Sequence, residues 1–354
     1  MMKLFLGIVC AAVLAVILSL GLWPFHAPKN EVAWISGRPG LTFGRVSGAI
    51  GSAAMPTPAS GGAGGSIEIW LRPWRIWDSS TLLAFSRPEV PYQLSFRQSQ
   101  LDLEIRTGGN RVYVGDFFPR SGSLFLTIAS GPTGTAVYRD GKLVRALARP
   151  RLTARDFSGQ LVVADSAGQT DSWQGQLFGL AVYHRELTPA EVARHHLSWT
   201  KRARPEIADG EGNAALYLFH EGAGDIVYNA VAPGPDLLLP ERYTVADKIA
   251  LEPFWKEFNL SMSYWDSALQ NVVGFVPVGF CFYPWFLALR LKRPALAAVL
   301  TGTAISVTIE VAQAFLPTRD SGTTDLFTNT FGTWLGVAGY RALRPLLRAY
   351  GLPD

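Results

Sequence analysis

Apolar positions are spread unevenly along this chain. Residues 4–22, "LFLGIVCAAVLAVILSLGL", carry no charge. At about 1.5 Å of rise per residue they are long enough to cross a bilayer as a helix. Residues 267–289 are also uncharged, and a third run, 294–316, is interrupted only by Glu310. A fourth run over 326–347 is weaker, because Arg341 and Arg344 lie in its last turns. From 66 onward the period changes to two. In "SIEIWLRP", Ile67, Ile69 and Leu71 alternate with Glu68, Trp70 and Arg72. In "QLDLEIRTGG", Leu101, Leu103 and Ile105 alternate with Asp102, Glu104 and Arg106. Alternation of this kind predicts half-buried strands. Asp140-Gly141 between two strand-like runs predicts a hairpin. "LTPAEVARHHL" predicts a helix, with Thr188 as N-cap, Pro189 at the first position and Glu191 three residues after the cap. Many short strands at this spacing predict an antiparallel sandwich.

The charges add a topology. The formal net charge is +4, and it gathers near the spans. This reads as membrane orientation and not as affinity for nucleic acid. Lys3 precedes the first span, Arg290, Lys292 and Arg293 fill the loop between the second and third, and Arg341, Arg344 and Arg348 follow the fourth. Basic flanks stay cytoplasmic, so both termini are expected inside and the β region outside the cytoplasm. The first span reads as an uncleaved anchor, since its apolar run exceeds a signal-peptide core. A cleaved signal peptide is the alternative. The two cysteines, Cys10 and Cys281, fall inside spans, so a disulfide framework is not indicated. Trp255, Phe258, Tyr264 and Trp265 precede the second span as interfacial aromatics do.

The β region, over roughly 35–245, resembles the laminin-G or concanavalin A-like jelly-roll family through "SIEIWLRP", "VYRDGKLV" and "GQLFGLAVYHRELTPAEV". "ALYLFHEGAGDIVYNAVAPGPDLLLP" reads as a late strand that completes the sandwich. The family includes glycan binders and glycoside hydrolases. Hydrolysis needs two carboxylates flanking a cleft, and Asp102 with Glu104 is the best local pair. However, Arg106 stands where a third acid would follow, and a solvated face of alternating charge is the plain reading. Trp74, Trp77 and Trp173 are candidate sugar platforms, with core packing as the competing role. Calcium is admitted by the family, and Asp165 and Asp171 flank a loop with enough oxygens. No cofactor is otherwise indicated.

The last third concentrates polar groups where lipid is expected. Glu310 and Gln313 are three apart and Asp325 and Asn329 four apart, so each pair shares a helix face. Glu310 lies about 9 Å below Leu316 on a helix. A charge there costs several kcal/mol unless paired or neutralised, and Arg319 is the nearest cation in sequence. Gly332 and Gly336 form a G-x-x-x-G close-packing pattern. Asp266, Asn271, Arg319 and Asp320 complete the expected polar cluster. No Ser-His-Asp or metal-ligand spacing occurs in these spans.

"NVVGFVPVGF" followed by "IEVAQAFLPTRDSGTTDLFTNTFGTWLG" resembles the VanZ-like family of bacterial membrane proteins, over about 262–345. Asn271, Pro277, Gly279, Glu310, Gln313, Arg319, Asp325, Asn329, Thr330 and Gly332 carry the pattern. The founding association of that family is resistance to the glycopeptide teicoplanin, and the resemblance supplies no reaction.

The expected organisation is an N-terminal anchor (1–24), a β-sandwich (35–245), an interfacial linker (246–265) and a three-helix VanZ-like membrane bundle (266–348). Two functions compete. One is a binding or accessory protein of the cell envelope, in the inner membrane, whose sandwich takes an envelope polysaccharide or other surface ligand. Its partners would be the lipid bilayer and other membrane proteins, with no nucleic acid. The other is a membrane enzyme or transporter acting on a lipid-linked envelope precursor through Glu310, Arg319 and Asp325. Beside both stands a structural role, in which the polar groups lock the helices together by hydrogen bonds.

Overall fold

The computed structural model describes residues 1–58, 62, 64–87, 90–168, 170–202, 213–231, 234–246, 248, 250–258 and 262–348. The chain forms two compact units. One is residues 28–248, and the other combines residues 1–27 with 249–354.

The first unit is an antiparallel sandwich of two sheets. One sheet runs Val32–Trp34, Leu41–Phe43, Gly175–Tyr183, Gly65–Pro73, Leu124–Gly131, Gly134–Arg139, Lys142–Leu147, and Asn213–Tyr217 also pairs with Gly175–Tyr183. The other runs Ile226–Val227, Leu237–Leu238, Ala49–Gly51, Gln160–Val163, Ser79–Arg87, Val90–Ser99, Asp102–Thr107, Asn110–Val114. The two-residue period decides which side chains meet. Ile67, Ile69 and Leu71 enter the core beside Phe85, Phe96, Leu103 and Ile105. The Asp140-Gly141 hairpin forms, with Arg139 opposite Lys142 and both turn residues at positive φ (53° and 75°). A type I′ turn requires that sign at both positions, and glycine supplies it without strain. The late strand also forms, since Asn213–Tyr217 extends the first sheet and Leu237–Leu238 the second.

Of the helices, α1 is Met2–Leu22, α2 Pro189–Arg202, α3 Phe254–Glu257, α4 Met262–Ala288, α5 Pro294–Gln313 and α6 Thr323–Arg348. Helix α2 starts with the expected capping box. The Thr188 N–H donates to Glu191 Oε2 at 2.7 Å, and the Glu191 N–H reaches Thr188 Oγ1 at 3.3 Å. Arg185 grips the same carboxylate through both of its terminal nitrogens at 2.9 and 3.1 Å. Burial opposes ionisation of Glu191, but Arg185 and Thr188 outweigh it and hold the pKa at about 2. Helix α2 covers the outer face of the first sheet, where Phe125, Tyr183, Val192 and Trp199 pack together. Glu68, on the polar side of the strand pattern, is therefore fully buried. Its carboxylate is satisfied by the Tyr183 hydroxyl at 2.8 Å and His195 Nδ1 at 3.0 Å.

The second unit is helical. Helices α1, α4 and α5 are long and apolar enough to cross a membrane. The fourth expected span forms as the 26-residue α6, but it is not among the helices apolar enough to span. Asn329, Thr330, Thr333, Arg341 and Arg344 dilute it. Instead α6 packs closely on α4. A Cβ on Gly332 would strike the Val272 carbonyl, and one on Gly336 the Val276 carbonyl. The G-x-x-x-G spacing thus marks a backbone-to-backbone contact, as small residues do between helices. Helix α1 joins the same unit. Cys10 Sγ donates to the Cys281 carbonyl at 3.3 Å, and a Cβ on Gly7 would lie 3.3 Å from Trp285.

Candidate functional site

Glu310 stands on α5 one turn before its end and is 1% exposed. Its carboxylate accepts the Gly322 N–H at 2.8 Å, and its backbone carbonyl accepts the Ser321 hydroxyl at 2.8 Å. The residue thus fastens the polar turn 314–322 back onto the helix that precedes it. The far side of that turn pairs with the segment before α3. Glu252 bridges Gly322, Leu251 N–H donates to Ser321 Oγ at 3.0 Å, and Phe254 N–H to Thr323 Oγ1 at 2.7 Å.

The turn so held walls a cavity of about 460 Å³ between the start of α4, the end of α5 and the start of α6. Asn271, Gln313, Arg319, Asp320 and Asp325 line it, joined by Tyr264, Ser267, Gln270, Thr318 and Thr324. Among the expected cluster, those five meet. Glu310 and Asn329 are not in the lining, and Asp266 lies exposed outside it. Asn329 is buried deeper and donates to Ser306 Oγ at 3.0 Å. Gln313 and Arg319 share a second task. Gln313 Nε2 and Arg319 Nη2 both donate to the Gly21 carbonyl near the end of α1, at 2.8 and 3.2 Å. That partner is a backbone oxygen almost three hundred residues away, and no side-chain pattern announces it. Ser267, Gln270 and Asn271 were legible in principle, since spacings of three and four place them on one face of α4.

In the sandwich the candidates separate. Trp74 and Trp77 are exposed at 49% and 60%, and the Arg120 guanidinium sits 5.7 Å from the Trp77 ring centre. Trp173 is only 1% exposed and donates through Nε1 to Gln98 at 2.8 Å. It is a core residue, so its ring is not available to a sugar. Asp165 is buried and accepts the N–H groups of Ser166 and Asp171 at 2.9 and 2.8 Å and the Tyr243 hydroxyl. Burial raises its pKa to about 8, against the pull of these donors. Asp171 accepts the Thr81 hydroxyl at 2.5 Å and pairs with Arg97. Asp165 is thus spent on closing its own loop, and Asp171 on tying that loop to Thr81 and Arg97 of the second sheet. Among the described residues no group of three His, Cys, Asp or Glu side chains could hold a metal ion.

The strand-face reading of Asp102 and Glu104 needs correction. Glu104 is 2% exposed, not solvated. Its neighbours across the sheet are Arg97 on one strand and Tyr113 on the other. Arg106 binds both of its oxygens at 2.6 and 3.1 Å, Tyr113 OH lies at 3.2 Å and Arg97 at 3.4 Å. Burial would raise the Glu104 pKa, but Arg106, Arg97 and Tyr113 outweigh it and hold it below the usual range. Burial lowers the Arg97 pKa to about 10. A carboxylate so held stays ionised and does not serve as a general acid. Asp102 instead accepts the Asp116 N–H at 2.9 Å. Beside this network Arg111, Arg149 and Arg151 border a second depression of about 460 Å³, and among the described residues no carboxylate lines it.

Two family models match the chain. Residues 47–193 match the concanavalin A-like lectin/glucanases superfamily, and residues 230–344 match VanZ/LLP1. No curated protein matches. Among solved structures, the chain is similar to a native heptameric SAP-like pentraxin from Limulus polyphemus, with 11% identity and TM-score 0.38, over 62% of this chain and 95% of that one. It is also similar to the sialidase of Trypanosoma rangeli, with 15% identity and TM-score 0.34, over 46% of this chain and 28% of that one. A third similarity is to the binding domain of botulinum neurotoxin DC in complex with SialylT, with 14% identity and TM-score 0.37, over 49% and 46%. The chain joins a concanavalin A-like sandwich in its middle to a VanZ-like domain on its C-terminal side.

Proposed function

We propose that this protein is a membrane-held binding protein of a bacterial cell envelope. The sandwich takes a glycan outside the cytoplasm, and the VanZ-like helices hold it at the inner membrane. The observation that carries this reading is the union in one chain of a lectin-class module and helices apolar enough to cross a membrane. Two surfaces of the sandwich suit a sugar. Trp74 and Trp77 expose apolar rings beside the Arg120 guanidinium. The Arg111, Arg149 and Arg151 depression suits carboxylate, sulfate or phosphate groups, which guanidinium binds through paired hydrogen bonds. Helix α1 remains part of the mature protein in this reading, since Cys10 is buried against the other helices and Gly21 takes hydrogen bonds from Gln313 of α5 and Arg319 of the turn that follows it. Lys3 before α1 and Arg290, Lys292 and Arg293 between α4 and α5 favour a cytoplasmic N-terminus, with the sandwich outside.

The test is binding of the full-length chain, in lipid nanodiscs, to an array of neutral and acidic glycans. Retention of a defined glycan supports the reading. Trp77→Ala is expected to weaken binding to a neutral glycan about three- to tenfold, the worth of one aromatic contact. Arg149→Ala with Arg151→Ala is expected to act on acidic glycans selectively. Because Asp165 and Asp171 are committed to protein donors, chelation of calcium is expected to leave binding unchanged. Retention of no glycan by a folded, nanodisc-held protein would overturn the reading.

A further inference from the structure

The helical cavity carries an inference separate from the sandwich. Its wall offers both donors and acceptors. Gln313 is 5% exposed, and its Nε2 is spent on the Gly21 carbonyl. Its Oε1 is buried with no hydrogen-bond partner, as is Thr318 Oγ1 on the same wall. A buried acceptor without a donor is costly, so native proteins fill such positions. What is missing at Gln313 Oε1 is a donor. A guanidinium such as that of Arg319 suits phosphate. The lining argues otherwise, because among the described residues Arg319 brings one positive charge and Asp320 and Asp325 bring two negative ones. One plus two opposed charges leaves the wall at −1, and one guanidinium nitrogen is already engaged by Gly21. A phosphate would meet net repulsion.

We infer that the cavity binds a neutral, hydroxyl-rich group, namely a sugar ring. Each sugar hydroxyl both donates and accepts. It can donate to Gln313 Oε1, Asp320 and Asp325 while it accepts from Asn271 and Arg319. Tyr264 supplies an aromatic wall for the C–H face of the ring. About 460 Å³ is within the size of small-molecule sites. The cavity lies at the start of α4 and the end of α5, two helices apolar enough to cross a membrane, so the sugar can arrive free or as the headgroup of a lipid.

Native mass spectrometry on the full chain in a sugar-free detergent separates these sources. The probes are a monoglucosyl diacylglycerol, phosphatidylglycerol and phosphatidylethanolamine at equal concentration, with methyl glucoside as competitor. The glucosyl lipid is expected to be retained about tenfold over phosphatidylglycerol, the scale on which a hydrogen-bonding site selects its hydroxyls or better. Loss of the adduct on adding methyl glucoside assigns the free sugar, and persistence assigns the lipid-borne form. Gln313→Leu is expected to reduce the adduct about tenfold. Should that variant fail to fold, Asp320→Lys tests the same point from an exposed position. It turns the wall from −1 to +1 and is expected to shift preference toward phosphatidylglycerol. Equal retention of the glucosyl lipid and phosphatidylglycerol by the native chain would overturn the inference. So would preference for phosphatidylethanolamine, whose ammonium would answer the two carboxylates, or a Gln313→Leu protein that is folded and binds unchanged. The two cavity variants separate this site from the sandwich, since an adduct held by the sandwich would be unchanged by either substitution.

Discussion

Glu310 illustrates what a single buried carboxylate does in an apolar helix. It accepts a backbone N–H across a turn and leaves the cavity wall to its neighbours. An amide can accept that bond equally well. Glu310→Gln is therefore expected to keep the helical unit folded, whereas Glu310→Leu strands the Gly322 N–H and costs about 1–3 kcal/mol, read as a lower melting temperature in detergent. The residue was conspicuous in the sequence because a charge among apolar neighbours is conspicuous. Its partner was not, because a backbone N–H carries no letter. Asp165 shows the same limit in the sandwich. The oxygens of its loop looked like a calcium site, and burial turned them inward. With a folded pKa near 8 against an ordinary 3.8, the native state holds a proton that the unfolded chain releases. Its contribution is intact below about pH 4 and is lost as pH rises toward 8. Melting temperature measured across that window is expected to fall, and Asp165→Asn, which cannot ionise, is expected to flatten the slope.

At the scale of elements, period and spacing were the most readable features. The alternating strands, the Asp140-Gly141 hairpin, the capping box of α2 and the G-x-x-x-G contact all follow from local rules, and the structure contains each of them. Gly332→Leu is expected to force α4 and α6 apart and to abolish the folded helical unit, seen as loss of a cooperative melt. A leucine at Gly274, which has open space around it, is expected to be tolerated. Spacing failed where a second element decided the surroundings. Asp325 and Asn329 share a helix face, yet one lines the cavity and the other is buried against Ser306. Glu104 sits on the polar side of its strand, yet register brings Arg97 and Tyr113 across from it and closes water out. Period tells which side of a strand a residue occupies, and cross-strand register tells whether that side is wet.

Over the whole molecule, the division into a β unit and a helical unit was legible because each has its own hydrophobic period. The discontinuity of the helical unit was not, since α1 looks like any solitary anchor until its contacts are known. Its partners α4 and α5 begin at Met262 and Pro294, on the far side of the sandwich in the chain. This fixes an order of events during synthesis. At about 5–20 residues per second, α1 leaves the ribosome on the order of 10–50 s before α4 exists to receive it. Over that interval Cys10 and the Gly21 carbonyl have no native partner, and by its end every strand of the sandwich is made. The newborn chain must therefore hold a lone helix in waiting, and a ribosome stalled within the sandwich would leave that helix orphaned, a substrate for membrane quality control.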